Sequence, residues 1–167
     1  HMTEGGPSGA VWIESLQARY EAVPQGLVAD LYARMDEAKV TGCLDWRRET
    51  TLEDGRKRAC IFQHPQERVD GDAVYDLELP ALAEGERLLL RFSTGFTGPT
   101  ADGARFSVLV NGEGVFETTQ TEQPPVRHEV DLSAYAGRKV SLTLRVNALG
   151  NTTHDWAVWV RPVVVKE

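Results

Sequence analysis

The chain has 167 residues, of which 41% are hydrophobic and 26% are charged, as is ordinary for a globular protein. This length fits one domain, or one domain with an arm. The formal net charge of −7 at pH 7 argues against a nucleic-acid partner, because binding to phosphates needs a basic surface. No apolar run approaches the roughly eighteen residues that a membrane-spanning helix needs, so no membrane partner is expected.

The N-terminal part is predicted to be a flexible tail at residues 1–9 and a helical arm at 10–39. His1-Met2 looks like a cloning scar, with no signal peptide after it. The protein is expected to be secreted if the chain is an excised module, and cytoplasmic if Met2 is its native start.

In the arm, apolar residues recur at intervals of three and four, which predicts helix. Pro24 and Gly26 divide the arm into two short helices. Because short helices are marginal in water unless packed, the arm should bury one apolar stripe against the rest of the protein. That stripe consists of Leu16, Leu27, Leu31 and Met35.

Over residues 40–167 the pattern changes to short runs with a period of two, typical of strands with one wet face. Turn residues such as Asp54-Gly55 and Asn111-Gly112 separate the runs. The fold class predicted is all-β, an antiparallel β-sandwich of two sheets. Its nine strands are placed near 40–48, 57–63, 73–79, 87–93, 104–111, 114–119, 126–132, 139–147 and 155–165.

The alternation also predicts a core. Trp156 shares a face with the valines of the last run and is placed in the core, whereas Trp159 points the other way, beneath the N-terminal helices. The side chains expected to be buried are Leu88, Leu90, Phe92, Phe106, Val108, Val140, Leu142, Leu144, Trp156 and Val158.

Two cysteines, Cys43 and Cys60, lie on the first two predicted strands. A two-residue turn at Asp54-Gly55 would not place them opposite each other, which favours two buried thiols over a disulfide. A bulge or a longer loop would still bring them together, so the redox state stays open.

Several segments occur in an order that resembles the galactose-binding-like jelly-roll modules, in particular the carbohydrate-binding accessory modules of bacterial glycoside hydrolases. They are Ile61-Phe62-Gln63-His64-Pro65, Tyr75-Asp76-Leu77-Glu78-Leu79-Pro80, Leu88-Leu89-Leu90-Arg91-Phe92, Phe106 to Gly112, Val130 to Gly137 and Asp155-Trp156-Ala157 with Trp159. The resemblance covers about residues 40–165. It implies a non-catalytic module whose partner is a glycan or polysaccharide, with room for an attached catalytic domain.

A sugar site needs an exposed flat aromatic and polar groups that bind hydroxyls. Phe96, flanked by glycines, and Trp46 are the candidates for the aromatic, although Trp46 alternates with core residues. The polar partners are expected in the 147–155 loop, which would meet the 94–100 loop at one end of the sandwich. These predicted hydroxyl partners are Asn147, Asn151, His154 and Asp155; the alternative is a solvated turn.

A basic group consisting of Arg47, Arg48, Arg56, Lys57 and Arg58 stands out in this acidic chain. On a hairpin it would form a positive patch for anionic ligands, or it would be neutralised by Glu49, Glu53 and Asp54 at a sheet edge. We favour the neutralised edge.

No nucleophile elbow, metal-binding His or Cys spacing, or acidic calcium loop occurs in the sequence, so no catalytic residue, metal or cofactor is predicted. The presence of a structural calcium stays open, with Asp70-Gly71-Asp72 as the nearest match to such a site. Two alternatives to the glycan-binding module stay open. One is a protein-interaction or structural domain that docks through its helical arm. The other is a small enzyme with a pocket at the mouth of the sandwich. The sequence does not indicate which glycan binds or what the oligomeric state is.

Overall fold

The computed structural model describes residues 23–99, 102–150 and 156–167. Two short 3₁₀ turns, Met35–Glu37 and Ser133–Tyr135, accompany the strands. The strands of this part of the chain are β1 (Leu27–Asp30), β2 (Lys39–Thr41), β3 (Cys43–Glu53), β4 (Arg56–Pro65), β5 (Gly71–Glu78), β6 (Leu88–Phe96), β7 (Ala104–Val110), β8 (Glu113–Gln120), β9 (Val126–Asp131), β10 (Lys139–Asn147) and β11 (Ala157–Lys166).

The strands form two antiparallel sheets, which confirms the predicted β-sandwich. The larger sheet has the order β3-β4-β11-β6-β9, with β1 paired to β11. The smaller sheet has the order β2-β5-β10-β7-β8. The first predicted run divides into β2 and β3 at Gly42, whose φ is +69°. A Cβ at Gly42 would lie 2.1 Å from the backbone oxygen of Asp70, so only glycine fits this corner.

The core between the sheets is built around aromatic rings. The ring centroids of Phe92 and Phe106 each lie 5.3 Å from that of Trp159. Nine of the ten side chains predicted to be buried are buried, and the exception is Trp156, which is 39% exposed. Trp159, predicted to lie in a second layer, is instead fully buried in the main core.

A bulge in β11 explains why the two tryptophans were assigned to the wrong faces. The pairing of β11 with β6 shifts between Val160 and Val163, and Arg161 has a φ of +48°. Trp159 before the bulge and Val164 after it both join the main core, although one position is odd and the other even. The extra residue therefore reverses the alternation within a single strand.

The prediction of helix over the second half of the arm is wrong. Leu27–Asp30 is the strand β1, paired with residues 163–165 of β11, and only the turn Met35–Glu37 is helical. Strand β4 pairs with β11 only along 157–160, so β1 supplies backbone partners where β4 does not reach. Leu31 (0% exposed) and Met35 (3%) are buried as expected, whereas Leu27 is 38% exposed. The first predicted helix and Leu16 lie outside the described residues.

The hairpin of β3 and β4 has the predicted turn at Asp54-Gly55. Cys43 faces Pro65, and Cys60 faces Glu49; both cysteines are free thiols. Burial raises the pKa of the Cys60 thiol to about 12, which makes it unreactive at neutral pH.

The distal half of this hairpin crosses the outer face of the larger sheet, the face directed away from the smaller sheet. Near its tip, Glu53 accepts a hydrogen bond from Ser93 of β6, and Asp54 lies 3.9 Å from Arg127 of β9. A separate buried cluster lies on this outer face, made up of Cys60, Phe62, Val158 and Val160.

Candidate ligand-binding site

The loops that follow β4, β6, β8 and β10 all lie at one end of the sandwich, as the antiparallel strand order requires. Two of them are in contact through described residues. The backbone N–H of Thr97 donates to the carbonyl of Trp156 over 3.0 Å. A Cβ at Gly150 would lie 3.8 Å from the carboxylate of Asp102. The end of the sandwich predicted to carry the site therefore brings these loops together.

Phe96 is not the exposed platform that the sequence suggested. Its side chain is 1% exposed, and its ring centroid lies 5.8 Å from that of Phe106 in the core. Strand β6 continues to Phe96 and does not end at residue 93, so Phe96 takes the core face after Leu88, Leu90 and Phe92.

Trp46 is half-buried and packs against the core, with its ring centroid 6.5 Å from that of Tyr75. Its neighbours on β3, Asp45 and Arg47, point to the opposite, outer face of the sheet. Trp46 therefore packs on the core side of β3, whereas Asp45 and Arg47 lie on its outer side.

Asn147 is committed to a turn. Its Nδ2 donates to Asp70 over 2.8 Å, and its Oδ1 accepts from the backbone N–H of Leu149 over 2.8 Å. These bonds fix the start of the β10–β11 loop. The other predicted hydroxyl partners, Asn151, His154 and Asp155, lie outside the described residues.

Among the described residues at this end of the sandwich, Trp156 is an exposed aromatic. Its ring rests over Gly98, where a Cβ would come within 3.1 Å of two ring carbons. Because a side chain at Gly98 would crowd the indole, glycine there allows the ring to pack against the β6–β7 loop. Trp156 is 39% exposed, so part of this residue is open to solvent.

A shallow cleft of about 400 Å³ lies beside this ring, and we call it the Trp156 cleft. Strands β3 and β4, together with Thr97 and Trp156 from the two loops, supply its walls. Its lining consists of Asp45, Arg47, Phe62, His64, Thr97 and Trp156.

Arg47 is held in place within the Trp156 cleft. Its guanidinium carbon lies 3.9 Å above the centre of the Phe62 ring, a cation–π contact. Nε and Nη2 donate to Glu49 over 3.1 and 3.0 Å, and Nη1 donates to Asp45. These bonds use three of the five N–H groups that a guanidinium carries. The side chains of Arg47 and Asp45 remain 46% and 42% exposed, so both are accessible to a ligand.

Three of the five side chains of the basic group identified in the sequence, Arg47, Arg48 and Arg58, are ion-paired. Besides the pairing of Arg47 with Glu49, Arg58 lies 3.9 Å from Glu53, and Arg48 lies 3.4 Å from Asp36. The hairpin therefore does not present these arginines as one uncompensated positive patch.

Among the described residues, no group of three or more His, Cys, Asp or Glu side chains is arranged to hold a metal ion. In the same part of the chain, no helix is long and apolar enough to span a membrane.

The structure resembles solved carbohydrate-binding modules. The TM-score is 0.57 with the CBM51 module from Clostridium perfringens GH95 in complex with methyl-galactose, at 18% identity over 82% of this chain and 99% of that chain. It is 0.54 with the CBM51-2 and INT domains of Clostridium perfringens ZmpB, at 20% identity over 76% of this chain. It is 0.53 with the ZmpB M60 catalytic domain that carries two CBM51 domains, at 17% identity over 81% of this chain.

The chain spans 29% and 15% of the two ZmpB chains, so it corresponds to one module within each. No family model matches the sequence, and no curated protein matches it. At these sequence identities the likeness shows the fold. The chain therefore has the antiparallel β-sandwich fold of the carbohydrate-binding modules, as the resemblance in its sequence implied.

Proposed function

We propose that this protein is a non-catalytic glycan-binding module whose site is the Trp156 cleft. One observation carries the proposal: an exposed indole lies beside an arginine and an aspartate that are fixed to each other. A pyranose offers an apolar C–H face that stacks on a flat aromatic ring. Its hydroxyls both donate and accept hydrogen bonds, so they match Arg47 as donor and Asp45 as acceptor.

The charge in the cleft favours a neutral sugar. Asp45 and Glu49 both pair with Arg47, so two carboxylates compensate one guanidinium. A sulfated or acidic sugar would have to compete with these carboxylates for Arg47. A neutral glycan needs only the remaining hydrogen-bonding positions.

The openness of the cleft favours binding over catalysis. Half-exposed side chains such as Arg47 and Asp45 remain hydrated, and reactions that need exclusion of water are disfavoured in such a site. Few contacts must offset the cost of association, so we expect affinities of about micromolar to millimolar.

The loop that precedes Trp156 supplies further ligand contacts in this proposal. Asn151, His154 and Asp155 remain the proposed hydroxyl partners, since they directly precede Trp156 in the sequence. The fold-level neighbours support the same function: one CBM51 structure holds methyl-galactose, and another is joined to a catalytic domain. We therefore include galactosides among the first ligands to test and an attached catalytic domain among the partners.

The test is a glycan array followed by titration calorimetry on the native protein and on Trp156→Ala. The native protein should retain a neutral glycan, and Trp156→Ala should weaken that binding by at least about tenfold, since it removes the stacking surface. Leu44→Ala is the control, because Leu44 is an exposed apolar side chain of β3 (62% exposed) outside the lining of the cleft. It should bind like the native protein.

If the array shows no glycan retained by the native protein, the proposed function is wrong. If binding persists at full strength in Trp156→Ala, the protein binds glycans elsewhere, and the role of the cleft is overturned.

A further inference from the structure

A second cleft, of about 520 Å³, opens on the other side of Thr97. One wall is the tip of the β3–β4 hairpin, residues 50–55, and the other is the loop of Gln123, Pro124 and Pro125 between β8 and β9. We call it the hairpin cleft. Phe96 and Thr97, at the end of β6, also line it.

The hairpin cleft continues the Trp156 cleft because Thr97 lines both of them. The backbone of Thr97 is fixed on each side, since its N–H donates to the Trp156 carbonyl and the N–H of Phe96 donates to the Gln123 carbonyl over 3.2 Å. Thr97 is therefore a rigid ridge between two adjoining depressions on one surface.

The chemistry of the hairpin cleft suits a sugar unit that is not the anchor. Pro124, Pro125 and the 62%-exposed Leu52 offer C–H surfaces, and Thr50 and Thr51 offer hydroxyls. Pyranose rings contact surfaces of this kind weakly, without the stacking that an aromatic ring gives. A sugar unit bound here would increase the affinity for a ligand whose first sugar unit is held at Trp156.

The walls of the hairpin cleft are also held apart by fixed contacts. Glu53, 9% exposed, accepts a hydrogen bond from Ser93 of β6, which ties the hairpin tip to the strand that leads to Thr97. Asp54 lies 3.9 Å from Arg127 of β9, but both side chains are at least three-quarters exposed, so this pair adds little. The cleft is therefore formed before any ligand arrives, which lowers the cost of ordering on binding.

We infer that the glycan ligand is an oligosaccharide, with one unit on Trp156 and the next unit in the hairpin cleft. This inference rests on the proposed function and adds that the site recognises chain length. A single sugar would occupy the Trp156 cleft and leave the hairpin cleft to water.

The test compares three probes by titration calorimetry: methyl-galactose, lactose and a galactose-terminated trisaccharide. Of the two oligosaccharides, the one that the native protein binds better should have an affinity at least about tenfold higher than that of methyl-galactose. Leu52→Ala should lower oligosaccharide affinity about threefold or more and leave the affinity for methyl-galactose unchanged, because it trims only the hairpin cleft. Leu44→Ala, a leucine of equal exposure on the same strand, should change neither affinity.

Equal affinity for all three probes, with binding still lost in Trp156→Ala, would overturn the inference and leave the proposed function in place. An equal loss of monosaccharide and oligosaccharide affinity in Leu52→Ala would also overturn it. If the native protein binds none of the probes, recognition of galactosides and the inference fall together.

Discussion

Gln63 joins the two sheets through one buried side chain. Its Nε2 donates to the carbonyls of Gly71 and Leu144 over 2.9 and 3.1 Å, and its Oε1 accepts from the indole N–H of Trp159 over 2.8 Å. Gly71 and Leu144 belong to the smaller sheet, whereas Gln63 and Trp159 belong to the larger one. A fully buried glutamine is therefore satisfied at both ends of its amide.

Gln63→Leu should lower the free energy of unfolding by at least about 2 kcal/mol, because it leaves a buried N–H and two buried carbonyls without this partner. Urea denaturation of the variant and the native protein measures the difference. Gln66→Leu, at an exposed position on the loop after β4, should stay within about 0.5 kcal/mol of the native protein. A similar loss in the free energy of unfolding in both variants would contradict the bridging role of Gln63.

Truncation of Phe96 and of Trp156, both at the loop end, should destabilise the protein to different extents. Phe96→Ala should destabilise the protein by about 3–5 kcal/mol, since it opens a cavity beside Phe106. Trp156→Ala should cost less, about 2 kcal/mol, because its ring is already partly in water. Thermal and urea unfolding of the two variants provide the comparison; a smaller loss for Phe96→Ala would contradict the burial described.

His128 makes the stability of the protein dependent on pH. Burial lowers the pKa of its imidazole below the ordinary value of 6.5, and its ring contacts Phe92 and Phe116. The unfolded chain therefore binds this proton at a higher pH than the folded one. Stability from the neutral ring is fully present above about pH 6.5 and is lost as the pH falls from there toward the lowered pKa.

The free energy of unfolding should thus decline as the pH falls below about 6.5, and His128→Gln should make that decline shallower. Denaturant titrations at several pH values measure both slopes. His64→Gln, on the opposite face of the larger sheet, is the matched histidine control. Identical slopes in the native protein and in His128→Gln would show that other groups cause the decline.

At the scale of the element, β1 shows how a backbone partner overrides a local pattern. Leu27, Leu31 and Met35 have helical spacing in the sequence, yet residues 27–30 pair with β11 as a strand. The unpaired length of β11 decides the outcome, and this is a property of the sheet that the segment itself does not encode. Burial of Leu31 and Met35 was nonetheless predictable, because both structures need an apolar contact with the sandwich.

Leu31→Ala should therefore destabilise the protein by about 2–5 kcal/mol, although it lies in a segment that precedes the main run of strands. Leu27→Ala is the matched control from the same segment, and should cost about 1 kcal/mol or less because this side chain is 38% exposed. Equal melting temperatures for the two variants would indicate that the segment does not pack as described.

The faces of β11 could not be assigned from its sequence. Valine and tryptophan occur at both odd and even positions of this strand, so alternation does not distinguish the core face from the outer face. The bulge at Arg161 then reverses the parity partway along. By contrast, β6, β7 and β10 were assigned to their correct core faces, since most of their buried residues follow one unbroken alternation.

At the scale of the whole molecule, the sandwich was predictable because turn residues separate the runs and each run has a period of two. The Trp156 cleft was not predictable from the sequence. Its residues come from β3, β4 and two loops, and the exposure of Trp156 depends on Gly98, a residue far away in sequence. That the loops after β6 and β10 lie at the same end of the sandwich was predictable, since loop position follows from strand direction alone.

The ends of the described sandwich lie on the side away from the Trp156 cleft. Strand β11 begins next to Trp156 and runs away from it to Lys166, whose N–H donates to the Gly26 carbonyl over 2.8 Å. Gly26 and Lys166, where β1 and β11 meet, therefore lie at the end of the sandwich opposite the Trp156 cleft.

The pairing of β1 with β11 also sets how the protein would respond to mechanical force. Leu27 faces Val165, so the first residue of one strand lies beside the end of the other. Tension applied between these two points would pull on the nearest hydrogen bonds first and open the pair one bond at a time. A single-molecule pulling experiment through residues 26 and 166 should therefore release β1 at low force, before the rest of the sandwich yields.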